Sequence, residues 1–144
     1  MPMTRTDFRG LIPHRGAMSL LAEVVRFDEE SITCRAVSHR DPAHPLREHG
    51  ILPALCAIEY AAQAMAVHGA LTEPRAPQAG MLAAVRDVAL NVERLDDVAD
   101  DLTLTARRLI GGQHRILYEF VVQAGEKELL RGRAAVVLAP QAGS

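Results

Sequence analysis

The sequence predicts an α+β fold in which an antiparallel sheet wraps round one long central helix. Three observations carry this expectation. Residues 53–68 form an alanine-rich run without internal glycine or proline, apolar nearly all round, as in a helix buried on most sides. Residues 18–38 and 81–139 carry apolar runs, period-two alternation and turn residues, the marks of strands. A lone helix with so much apolar surface needs a sheet that curls round it.

Taken in order, residues 4–12 read as a short helical lead-in, with Thr6 as a cap and Phe8, Leu11 and Ile12 at near-helical spacing. Pro13-His14-Arg15-Gly16 breaks it. Residues 18–27 read as a strand with Leu20, Leu21, Val24 and Val25, and Asp28-Glu29-Glu30 as the turn of a hairpin. In the second strand, 31–38, Ile32, Cys34 and Ala36 share one side. Residues 39–52 show no period; they hold Pro42, Pro45, Gly50 and three histidines, and a structureless stretch of that length is often functional. The helix over 53–68 opens on Pro53, where a missing N–H costs least, and Gly69 is placed to close it, although Ala70-Leu71 can add part of a turn. After an irregular link over 72–80, strands follow over 81–95, around Leu102–Ala106, around Ile116–Val122 and over 129–139, with hairpin signals at Gly111-Gly112 and Ala124-Gly125-Glu126 and a tail over 140–144. Such a sheet has free edges, and pairing them in a dimer is one way to cover them.

The length of 144 residues suits one domain. A net charge of −2 and 3% aromatic residues argue against a nucleic-acid surface. Arg5, Asp7 and Arg9 stand where a signal peptide needs an apolar run, and no stretch approaches the ~18 apolar residues of a membrane span. The expectation is a cytoplasmic protein with Cys34 and Cys56 as free thiols.

Two polar groups interrupt the helix, Glu59 and Gln63, four residues apart and so on one face. A carboxylate on a buried helix needs a partner or has a chemical task; the plainer alternative is a solvated edge where Gln63 bonds to Glu59. His39, His44 and His49 recur every five residues, but without a helix or cysteine partners this is a poor zinc pattern, and no metal is expected. His14 is expected to tie down its turn, His68 to cap the helix C-terminus and His114 to sit exposed on a hairpin.

Three segments resemble one family. Leu11-Ile12-Pro13-His14-Arg15-Gly16 resembles its opening "PHR". The run Pro53-Ala54-Leu55-Cys56-Ala57-Ile58-Glu59-Tyr60-Ala61-Ala62-Gln63 resembles its helix "PGVLxIExxAQ". Gly80-Met81-Leu82-Ala83-Ala84-Val85 is placed like the strand after that helix. The family is the hotdog-fold 3-hydroxyacyl-acyl-carrier-protein dehydratases of fatty acid biosynthesis, and the form of the helix with Tyr60 is similar to the dehydratases associated with aryl-polyene biosynthesis. The resemblance implies one hotdog domain over residues 1–144 and an active site made by a loop histidine and a helix acid from opposite subunits of a dimer. Carried over, the acid is Glu59 and the histidine is His44, with His49 as the alternative base. Relative to the family loop "GHFPxxPxxPG", Ala43 replaces the first glycine, the phenylalanine is missing, one extra residue precedes Pro53, and Ala54 replaces the last glycine.

The implied reaction is dehydration of a 3-hydroxyacyl thioester on an acyl carrier protein to the trans-2-enoyl thioester. A histidine suits the base that takes the C2 proton, and a carboxyl in an apolar groove can hold a proton for the leaving hydroxyl. A backbone N–H at the helix mouth, Ala54 or Leu55, can meet the thioester oxygen, and Gln63 can orient the acid. No cofactor is needed. The partners implied are the carrier-bound acyl group and a second hotdog subunit, in a homodimer or heterodimer. Two other functions stay open at this point: a non-catalytic or weakly active subunit that stabilises an active partner, and a hotdog acyl thioesterase.

Overall fold

Alternation in the second half of the chain builds a meander that the helix sits against. The computed structural model describes residues 3–4, 20–72, 79–112 and 115–139. Among the described residues the strands are β1 (Met3–Thr4), β2 (Glu23–Phe27), β3 (Ser31–Ala36), β4 (Ala79–Leu90), β5 (Leu102–Gly111), β6 (Arg115–Ala124) and β7 (Lys127–Ala139), with one α-helix, α1 (Ala57–Thr72), between β3 and β4. They form one seven-stranded sheet in the order β1-β2-β3-β5-β6-β7-β4, and every adjacent pair is antiparallel.

Register explains the core. Ile32, Ala106, Phe120 and Gly132 are successive partners across β3, β5, β6 and β7, and Cys34, Leu104, Val122 and Leu130 form the next row. Gly132 aside, the side chains of these rows are buried in one core with α1, which packs against β3, β5 and β6. The helix returns Tyr60, Ala61, Ala64, Met65, Val67 and His68 to the same core; its many alanines let it lie close to the sheet. At the β2–β3 turn, Asp28 Oδ1 accepts the N–H groups of Glu30 and Ser31, each at 2.8 Å, which fixes the hairpin locally.

Several boundaries move from expectation. The helix does not stop at Gly69 but runs to Thr72, whose hydroxyl donates to the His68 carbonyl at 2.8 Å; Leu71 still packs on the core, which offsets the ~1 kcal/mol cost of a mid-helix glycine. His68 therefore lies inside the helix and is buried, rather than capping it. The strand expected over 81–95 is β4, and it ends at Leu90 because the backbone beyond turns to meet the helix mouth. The first hairpin strand is shorter than expected, while Leu20 and Leu21 ahead of it are fully buried. Both cysteines are free thiols, Cys34 buried and Cys56 half-buried. The lead-in over 5–12, His14, His114 and the tail over 140–144 lie outside the described residues.

β4 closes one edge of the sheet and is twice bulged, with Asp87 in the left-handed region at φ 55°. Among the described residues its outer edge has no strand partner, and Leu82, Val88 and Leu90 stand exposed on it. The second bulge crosses Gly132, where an added Cβ would lie 2.9 Å from Phe120 Cζ and 3.3 Å from Val88 Cγ2. Gly132→Ala is expected to cost about 1–3 kcal/mol through this overpacking, read as a lower urea midpoint. An unchanged midpoint would show that Phe120 yields freely.

Candidate active site

The helix mouth is built by backbone pairing between two irregular segments. Pro53 has an extended backbone and leads a 3-10 turn, Ala54–Cys56, that runs into α1. The Ala54 N–H donates to Glu93 C=O at 3.0 Å and the Leu95 N–H to Leu52 C=O at 2.8 Å. Asp96 Oδ1 accepts the Leu52 N–H at 2.8 Å and also takes the Arg94 guanidinium, which holds the Asp96 carboxyl far below the usual carboxylate range. The mouth thus sits beside the end of β4, and an open groove of about 480 Å³ lies between them, lined by Pro53, Ala54, Leu55, Leu90, Val92 and Glu93 among others.

Glu59 is exposed, one helical turn beyond Leu55, which is itself 55% exposed on the groove. The acid is thus not enclosed in an apolar groove within one chain. Its carboxylate takes no hydrogen bond from the described residues, and at the start of α1 the helix dipole favours it. Its charge reaches Cys56, whose thiol is pushed up by burial first and by Glu59 second. Of the two amides at this mouth, Ala54's is engaged by Glu93, because the pairing that positions the mouth consumes it. The Leu55 amide is not engaged in this pairing.

Gln63 does not share Glu59's exposure. It is 2% exposed, and its Oε1 accepts the Leu20 N–H at 2.9 Å. His44 is likewise buried, at 5%. Its Nδ1 accepts the Leu46 N–H at 3.1 Å and its Nε2 lies 3.0 Å from the Tyr60 hydroxyl. Tyr60 lies 2.7 Å from Ser38 Oγ, and that hydroxyl donates to Leu20 C=O at 2.9 Å. Burial, then the Arg47 charge, holds the His44 pKa below its ordinary value, and burial pushes the Tyr60 phenol up to about 12. His49 is exposed in the turn closed by the Glu48–Ile51 bridge, at φ 52°. His39 is fully buried and bonded to Val98 C=O at 3.1 Å.

The expected acid and histidine are therefore not together in one chain: Glu59 faces out and His44 faces in. The residues that reading by position misses are Tyr60 and Ser38. The available signal was that a tyrosine on an otherwise apolar helix needs a partner for its hydroxyl. Among the described residues no group of three or more His, Cys, Asp or Glu side chains is placed to hold a metal ion, and no helix is long and apolar enough to cross a membrane.

Comparison with known proteins decides the family. Residues 6–143 match the ApeP-like family, described as ApeP dehydratase. The chain belongs to the ApeP-like dehydratases. This is the aryl-polyene branch of the resemblance drawn from the helix. No significant match was found among curated proteins. Among solved structures, the dehydratase heterocomplex ApeI:P from Xenorhabdus doucetiae is similar at TM-score 0.80 and 24% identity, over 91% of this chain and 90% of that one. A thioesterase from Haemophilus influenzae is similar at TM-score 0.71 and 14% identity, over 99% and 96% of the two chains. A hypothetical thioesterase protein from Streptococcus pneumoniae, determined with coenzyme A, is similar at 0.61 and 10%, over 82% and 85%. At these identities the likenesses show the fold: this ApeP-like chain has the hotdog architecture.

Proposed function

We propose that this ApeP-like chain is one subunit of a two-chain dehydratase acting on carrier-protein-bound 3-hydroxyacyl thioesters, and that it supplies Glu59 to the shared site. The observation that carries the reading is the outward-facing Glu59 beside an open groove, in a chain whose own histidine is buried and bonded at both ring nitrogens. A second hotdog subunit laid on the exposed apolar edge of β4 would cover that groove and take the carboxyl out of water, the condition under which a carboxyl keeps a proton to donate. The heterocomplex of the Xenorhabdus relative supports such an assembly.

In this reading a histidine of the second subunit removes the C2 proton. Negative charge passing to the thioester oxygen meets the Leu55 N–H at the helix mouth. The C3–O bond breaks as Glu59 delivers its proton to the departing hydroxyl. The products are water and the trans-2-enoyl thioester, with the abstracted proton on the histidine. Glu59 and the histidine are restored when they exchange protons with solvent.

The test is an assay of the purified chain alone and after co-expression with an ApeI-type subunit, using a 3-hydroxyacyl carrier-protein thioester and following water loss by mass. Turnover only in the mixture is the expected result. Turnover by the chain alone that His44→Ala abolishes would overturn the two-chain reading in favour of a homodimer using His44. Hydrolysis in place of water loss would make the protein a thioesterase.

A further inference from the structure

The chain has two tyrosines, and each grips one buried histidine. Tyr118 lies 2.7 Å from His68 Nδ1, and Tyr60 lies 3.0 Å from His44 Nε2. The two pairs are wired in opposite senses. At His68, Nε2 faces the Asp28 carbonyl at 2.8 Å; a carbonyl only accepts, so Nε2 carries the proton and Nδ1 accepts the Tyr118 hydroxyl. At His44 the order reverses. Leu46 N–H fills the Nδ1 lone pair at 3.1 Å, so the ring proton is again on Nε2, but here Nε2–H donates to the Tyr60 oxygen. Tyr60 then has one hydrogen left to give, and Ser38 Oγ takes it, because the Ser38 hydrogen is given to Leu20 C=O. Leu20 closes the set from its other side by donating its N–H to Gln63. Every hydrogen in this series has one place.

We propose that Tyr60 is a positioning residue that holds His44 as the neutral Nε2–H tautomer and so withdraws it from proton transfer. In that state the ring offers no lone pair: Nδ1 is occupied by an amide hydrogen and Nε2 by its own proton. Adding a second proton at Nδ1 would set two N–H groups against each other. Of the charged groups near the ring, Arg47 and His39 oppose a positive charge there and Asp41 favours one, and among the described residues Tyr60 makes the only ring hydrogen bond from α1. His44 becomes a joint that ties the loop before the helix to α1 and, through Ser38, to the segment ahead of β2. A dimer containing this chain then has one working site at this chain's Glu59 and none at His44. The count of sites rests on the function proposed above; the tautomer does not, so the two fail separately.

The test is long-range proton–nitrogen NMR on the full chain labelled at histidine, recorded from about pH 8 down to about pH 5.5, the range in which an ordinary histidine titrates. His44→Gln assigns the resonances. The expected result is a fixed Nε2–H signature for His44 with no titration. Tyr60→Phe keeps the ring but removes the oxygen that accepts from Nε2–H; the charged ring would lose that acceptor too, so the proton affinity does not rise, and the expected result is loss of the single Nε2–H signature as both tautomers appear. Ser38→Ala supplies a second route if Tyr60→Phe does not fold: Tyr60 loses the acceptor of its own hydrogen, its oxygen is no longer fixed toward Nε2–H, and the single His44 Nε2–H signature shifts and broadens. A wild-type His44 that titrates near the ordinary value or populates both tautomers would overturn the proposal. So would Tyr60→Phe and Ser38→Ala spectra that both match wild type.

Discussion

Replacing Glu59 with glutamine is expected to lower turnover of the reconstituted dehydratase by ~10²–10⁴-fold, the usual loss when one positioned proton-transfer group is removed. The change exchanges one oxygen for NH₂ and removes only the proton to be donated. Because Glu59 is exposed and takes no hydrogen bond from the described residues, folding stability should stay within about 0.5 kcal/mol of wild type. Assembly with the second subunit should persist as well, since the exposed apolar side chains Leu55, Leu82 and Leu90 are untouched. The informative control is His44→Gln. If Tyr60 locks the histidine, this variant keeps turnover within about twofold, whereas loss of a true base would cost at least ~10²-fold. A Glu59→Gln protein that assembles, melts normally and turns over at the wild-type rate would move the acid to another residue.

Much of the fold was legible because its signals are local. The helix showed in its alanine run, the hairpins in their turn residues, and the core face of β6 in Ile116, Tyr118, Phe120 and Val122, all buried as their alternation implies. Boundaries were less so. Gly69 reads as a stop with at most part of a turn beyond it, and nothing local shows that Leu71, two residues on, will find the core. The site was legible in composition but not in direction. A helix apolar nearly all round does not announce which side faces the sheet, so Glu59 and Gln63, four residues apart, were expected to share one face. The fold separates them into an exposed acid and a buried amide. The His44–Tyr60 bond joins residues sixteen apart through a loop with no period, and no spacing rule reaches across it. Family likeness supplied the histidine's usual role; only the hydrogen positions around Leu46, Tyr60, Ser38 and Leu20 show how it is held.

Acidification from about pH 7 to about pH 5.5 is expected to destabilise the chain before its carboxylates titrate. His39, His44 and His68 are all buried, and burial is the first cause holding each pKa below its ordinary value. In the unfolded chain these rings take up protons near pH ~6.5. In the folded chain they do so only at lower pH, so below ~6.5 the unfolded state binds more protons and the stability falls. Each such ring contributes up to ~1.4 kcal/mol per pH unit, and the loss is complete once the pH passes the folded values. Asp28, Asp96 and Asp101 have lowered values too, set by hydrogen bonds from backbone or arginine. Their effect has the same sign but begins only below about pH 4, where unfolded carboxyls titrate. Urea midpoints measured between these limits therefore isolate the histidines, and a flat or rising stability there would contradict the reading. His68→Gln should be less stable at pH 7 by about 1–3 kcal/mol, the Tyr118 hydroxyl hydrogen having lost the ring nitrogen that accepts it, yet show a shallower slope by about one proton. His44→Gln should flatten the slope in the same way. An unchanged slope in that variant would mean that His44 binds protons equally in the folded and unfolded chain, and a histidine that accessible would return to candidacy as the base.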